Sequence, residues 1–130
     1  MKNFTENQIR NIKRTFYTFF YNSKIEKIQS ISEKEVVLVD AYNNTKVFNI
    51  SKVIGLFRKI KFNHTQEEIN KSLLSAISYC EERIQLAEKH NDRIQNNEYK
   101  SKNYKTLTKR RAKKEIKYFS DLINDIKTCI

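Results

Sequence analysis

The chain has 130 residues, 38% hydrophobic and 32% charged, with a formal net charge of +11 and a mean hydropathy of −0.75. One glycine and no proline exclude Gly-rich phosphate loops, G-x-S-x-G nucleophile turns and loop-rich β architectures. No apolar run approaches the roughly 20 residues that cross a bilayer, and MKNFTENQIRNIK lacks the apolar core of a signal peptide, so the expected location is cytoplasmic, with no membrane partner.

The apolar content suffices for one domain with a modest core. Cys80 and Cys129 are too few for a disulfide scaffold and are expected to be reduced. Lys, Asn and Ile are abundant at the expense of Gly, Pro and Ala, as in an AT-rich genome, so part of the lysine excess reflects codon usage. Codon usage does not explain where the lysines cluster.

In chain order, Thr5 with Gln8 forms a capping box and Phe4 can staple against Ile9, which predicts a helix over 6–21. Ile9, Ile12, Phe16, Phe19 and Phe20 follow its buried stripe, and Arg10, Lys13, Arg14, Tyr17 and Tyr21 its opposite side. Three runs with strand character follow at 24–31, 35–42 and 45–50, the middle one rich in β-branched residues, with Asn43-Asn44 as a two-residue hairpin turn. In EVVLVDAY the face of Val37, Val39 and Ala41 is plainly apolar, and that of Leu38, Asp40 and Tyr42 only partly so. Ser51 is expected to cap a short helix burying Val53, Phe57 and Ile60, with Gly55 weakening its middle.

Thr65 with Glu68 repeats the capping box and opens a long helix. Its apolar positions, Ile69, Leu73, Ile77, Cys80, Ile84, Ala87 and Ile94, with Asn91 in register, average a 3.5-residue spacing. The last helix carries a matching seam in Ala112, Ile116, Phe119, Ile123, Ile126 and Ile130. The two should pair as an antiparallel hairpin bent through the polar segment 95–105, with Ile84 facing Ile116, Ile77 facing Ile123, Ile69 facing Ile130, and Cys80 near Phe119 but far from Cys129. The expected fold is therefore α+β and predominantly helical: an N-terminal helix, a small three-stranded antiparallel meander, a short helix, then a long antiparallel helical hairpin. A single domain over 1–130 is expected, with a helix-plus-sheet lobe at 1–62 and a hairpin lobe at 63–130.

The stretch 100–117 dominates the charge: nine basic residues against Glu115 alone give +8 of the total +11. Lys105, Lys109, Arg110 and Arg111 lie near the start of the last helix, and Asp121 and Asp125 towards its end, the reverse of what the macrodipole favours. Lys89, His90 and Arg93, near the end of the preceding helix, match its dipole and need only a stability explanation. A cationic helix start attracts anions through free backbone N–H groups and side chains together. Arg110, Lys113, Lys114 and Lys117 share one helix face, and Tyr99, Tyr104 and Tyr118 lie nearby.

The expected function is nucleic-acid binding, to DNA or RNA, by a grip on the phosphate backbone. The candidate residues are Lys100, Lys102, Tyr104, Lys105, Lys109, Arg110, Arg111, Lys113, Lys114 and Lys117, helped by Arg10, Lys13 and Arg14. The alternative is a small inhibitor or adaptor, of the kind a mobile element encodes, docking its basic face on an acidic protein or a ribonucleoprotein enzyme. A structural helical domain, dimeric through leftover surface such as Leu74 and Leu122, is a third reading. His64 and His90 have no metal-site spacing and the cysteines form no CxxC pair, so no metal, cofactor or catalytic residue is expected, and the chain is not expected to be an enzyme.

Overall fold

A computed structural model describes residues 4–20, 27–40 and 43–130. The elements are α1 (Glu6–Phe20), β1 (Lys27–Ile31), β2 (Glu35–Val39), β3 (Thr45–Asn49), α2 (Ile50–Asn63), α3 (Gln66–Gln95) and α4 (Lys102–Lys127). The order helix, antiparallel meander β1-β2-β3, helix, long hairpin matches the expected α+β architecture.

The capping boxes act as the sequence suggests. Thr5 Oγ1 accepts from the Gln8 backbone N–H at 3.2 Å and Gln8 Oε1 accepts from the Thr5 N–H at 2.9 Å. Thr65 likewise accepts from the Glu68 N–H, at 3.2 Å. At α2 the cap is Asn49 instead of Ser51: its side chain accepts from the Ser51 N–H at 2.9 Å and the helix starts at Ile50. Both residue types cap well, and Asn49 wins because β3 delivers it in the extended conformation that a cap requires.

Two corrections concern the sheet. Val39 pairs with Thr45, so the β2–β3 connection spans residues 40–44 and is longer than a two-residue turn. Asn43 does take a positive φ, of 64°, and the Asp40 carboxylate organises the turn by accepting from the Asn44 N–H at 2.9 Å. The more deeply buried face of β2 is that of Val36, Leu38 and Asp40, while Val37 and Val39 are half-buried. Ile12 and Phe16 of α1 and Ile50 and Val53 of α2 cover that face together, so two helices close over it. Residues 24–26, Ala41, Tyr42 and Tyr21 lie outside the described residues.

α1 is buried on more sides than a single stripe allows. Phe16 joins the sheet cluster, whereas Tyr17, assigned by pattern to the polar side, is 2% exposed and packs with Ile60, Leu73, Leu122 and Ile126 in the hairpin core. Phe19, expected inside, is 45% exposed. Thr15 is buried without loss because its hydroxyl donates to the Asn11 carbonyl at 2.9 Å.

The hairpin has the expected register. The Gln95 side-chain amide donates to the Lys105 carbonyl at 2.6 Å, Arg83 pairs with Glu115 at 3.0 Å, and the Tyr79 ring meets Phe119 edge-on. Ile69, Leu73, Ile77, Cys80, Phe119 and Ile126 are buried between the helices. Leu122, proposed above as dimer surface, is 2% exposed because it joins the core cluster with Tyr17, Ile60 and Leu73, and Ile130 is 46% exposed because α4 ends at Lys127. Leu74 stays exposed. Both cysteines are free and buried; burial pushes the Cys80 thiol up to about 12 and raises that of Cys129, so neither is a thiolate at neutral pH.

Gly55 sits inside α2, exposed, with nothing near the position a Cβ would occupy. Gly55→Ala is expected to stabilise the protein by about 0.5–1 kcal/mol, since alanine has less backbone freedom to lose on folding. Thermal unfolding checks this: the midpoint should rise by about 2–4 °C, and a fall would mean that α2 needs the glycine.

Candidate nucleic-acid interface

The bend of the hairpin is shorter than 95–105. Ser101 caps α4 by accepting from the Tyr104 N–H at 3.1 Å, which puts Lys102 and Lys105 in the first helical turn. A cation there costs about 0.3–1 kcal/mol against the dipole, and no acid stands in that turn to offset it. Lys100 precedes the cap, its ammonium 4.9 Å from the centroid of the Tyr104 ring.

Beyond the first turn, Lys109, Arg110, Lys113, Lys114 and Lys117 are exposed, and Arg110, Lys113, Lys114 and Lys117 lie on the side of α4 away from the buried Ala112 and Phe119. Side chains three and four apart on a helix lie about 5–6 Å apart at Cβ, inside the roughly 8 Å screening length of physiological salt, so these cations repel one another. Among the described residues, no carboxylate forms an ion pair with Lys102, Lys105, Lys109, Arg110, Arg111, Lys113, Lys114 or Lys117. Glu115, the one acid of the stretch, is in range for Arg111 at i, i+4, yet it turns across the hairpin to Arg83.

Arg111 leaves the outward face. At 100° per residue it lies on the flank of α4 that faces α3, where a groove of about 500 Å³ runs between the two helices. α3 contributes Lys89, His90 and Arg93 to that groove, and α4 contributes Tyr104, Thr108 and Arg111. The buried Ala87 and Ala112 and the half-exposed Leu86 give it apolar lining. Arg83, already paired with Glu115, reaches over the Phe119 ring at 6.0 Å from its centroid.

Sequence reasoning missed Lys89, His90 and Arg93, reading them as dipole partners only. The signal was there: the register that sets Ile84 against Ile116 brings the end of α3 alongside the basic start of α4.

Lys13 and Arg14 do not join this surface. Lys13 Nζ is 2.7 Å from Asp125, and the Arg14 guanidinium donates to the Cys129 carbonyl at 2.9 and 2.6 Å. Both are thus occupied at the far end of α4, on the order of 20 Å from Arg110 at 1.5 Å of rise per residue. Arg10 is exposed on the same helix. These contacts offset part of the reversed dipole: α1 brings Lys13 and Arg14 to the C-terminal end of α4, where the helix itself supplies only Lys127 in its last turn. Tyr17 donates to the other oxygen of Asp125, and burial together with that carboxylate pushes the phenol's pKa well above its usual value.

Among the described residues, no three His, Cys, Asp or Glu side chains come together as a metal site, and none of the described helices is long and apolar enough to cross a membrane. His64 is bonded to Glu68 at 3.0 Å, which lowers the Glu68 carboxyl below its usual range. No protein-family model, curated protein or solved structure matches the chain.

Proposed function

We propose that the protein binds nucleic acid without catalysis, gripping the sugar-phosphate backbone with the outward face of α4. The observation that carries this is the run of cations from Lys102 to Lys117 without a carboxylate partner among the described residues, while Glu115, the one acid within it, is committed to Arg83. A polyanion relieves both the mutual repulsion on that face and the dipole conflict in the first turn. The arginines can hold a phosphate through two parallel hydrogen bonds and the lysines act as point charges. Such contacts position a backbone and do not read bases, so weak sequence preference is expected.

Fluorescence anisotropy with mixed-sequence duplex and single strands, over about 50 to 200 mM salt, tests it. If three phosphates are neutralised on duplex, the logarithmic slope is about −2.7 and affinity falls about 40-fold across that range. Absence of binding to every form at the low-salt end would reject the proposal. Pull-downs for an acidic protein, the partner of a small inhibitor or adaptor, would then take its place.

A further inference from the structure

Building on that reading, we infer that the groove between α3 and α4 is the seat of a single-stranded segment, with an unstacked base against Tyr104 and adjacent phosphates held by Arg93 and Arg111. Three observations converge on it. The groove has about 500 Å³, within the range of roughly 300–1,000 Å³ that small ligands fill, so it admits a nucleotide. It combines apolar lining, from Leu86 and Ala112, with basic groups from both helices, and Glu115, its one carboxylate, is already taken by Arg83. Tyr104 lines it at 43% exposure with the Lys100 ammonium on its ring, so a base stacking there meets a cation ready for the next phosphate.

A duplex cannot use this combination. Its bases are stacked inward and only its backbone reaches a protein surface, so the apolar lining and the Tyr104 ring would go unused. A flexible strand can lie along the outward cations and turn over the flank of α4 into the groove, which places Arg110 and Arg111, 100° apart on the helix, on one ligand. Lys89 then adds charge from the α3 side.

The test compares the full-length protein with Tyr104→Leu and Arg111→Gln, titrated against fluorescein-labelled mixed-sequence single-stranded RNA, single-stranded DNA and duplex DNA at about 50 mM salt, with helicity checked by circular dichroism. Loss of one stacked base is expected to lower single-strand affinity by about 5- to 100-fold for Tyr104→Leu, and by more than duplex affinity falls. Arg111→Gln is expected to shift the same preference in the same direction. Wild-type binding confined to duplex, or a single-strand loss below about 5-fold or no larger than the duplex loss, overturns the groove while leaving backbone binding in place. Wild type binding none of the three overturns both.

Discussion

Asp125→Ala is expected to destabilise the protein by about 2–3 kcal/mol and to lower its thermal midpoint by about 8–12 °C. The carboxylate holds two α1 side chains at once, Lys13 through one oxygen and Tyr17 through the other. Removing it leaves the Tyr17 hydroxyl buried without that acceptor, which costs about 1–3 kcal/mol. The ion pair adds less, because both side chains remain a little under one-third exposed, at 27% and 29%, and water screens them. Tyr17→Phe should cost only about 1 kcal/mol, since the donor leaves while Asp125 keeps Lys13. Chemical denaturation of the two variants separates the contributions; Asp125→Ala within about 0.5 kcal/mol of wild type would show that α1 is held by apolar packing alone.

The same contact marks a boundary of what the sequence reveals. Local chemistry was legible where it is complete within a few residues: the capping boxes at Thr5 and Thr65, the three-strand meander, and the 3.5-residue seams that pair α3 with α4. Tyr17 was not, because the partner that makes its burial tolerable is 108 residues away. Nor could one stripe describe α1, which packs against the sheet through Phe16 and the hairpin through Tyr17. At Leu122 and Ile123 the seam offers two adjacent apolar residues, and the period alone does not say that Leu122 is the fully buried one, in the cluster that also holds Tyr17, Ile60 and Leu73. Ile130 fits the period but lies beyond the helix that would turn it inward.

For the site, the basic stretch was legible as composition, and its division was not. That Arg110 faces outward while Arg111 enters a groove follows from one residue of helical rotation. The contribution of Lys89 and Arg93 needed the hairpin register to be applied to the charges as well as to the apolar seam. Lys13 and Arg14 carry the same charge as the α4 cations, but their partners are intramolecular, which no count of basic residues distinguishes.

The second large effect concerns the outward face. Replacing Arg110, Lys113, Lys114 and Lys117 together with glutamate changes the charge by two at each position and takes the chain from +11 to +3. Glutamate is as good a helix former as lysine or arginine and all four positions are exposed, so α4 is expected to keep its helicity. The phosphate contacts turn into repulsion. If about three are lost, the affinity that survives at about 50 mM salt should be at least 100-fold weaker and nearly independent of salt.

Anisotropy titration of wild type and this four-fold glutamate variant against one mixed-sequence strand, at about 50 and about 200 mM salt, tests most directly whether the outward face of α4 grips a nucleic-acid backbone. The expected result is a steep salt dependence in wild type that disappears with the affinity in the variant. A variant with wild-type helicity that binds as tightly, with the same salt slope, would contradict it.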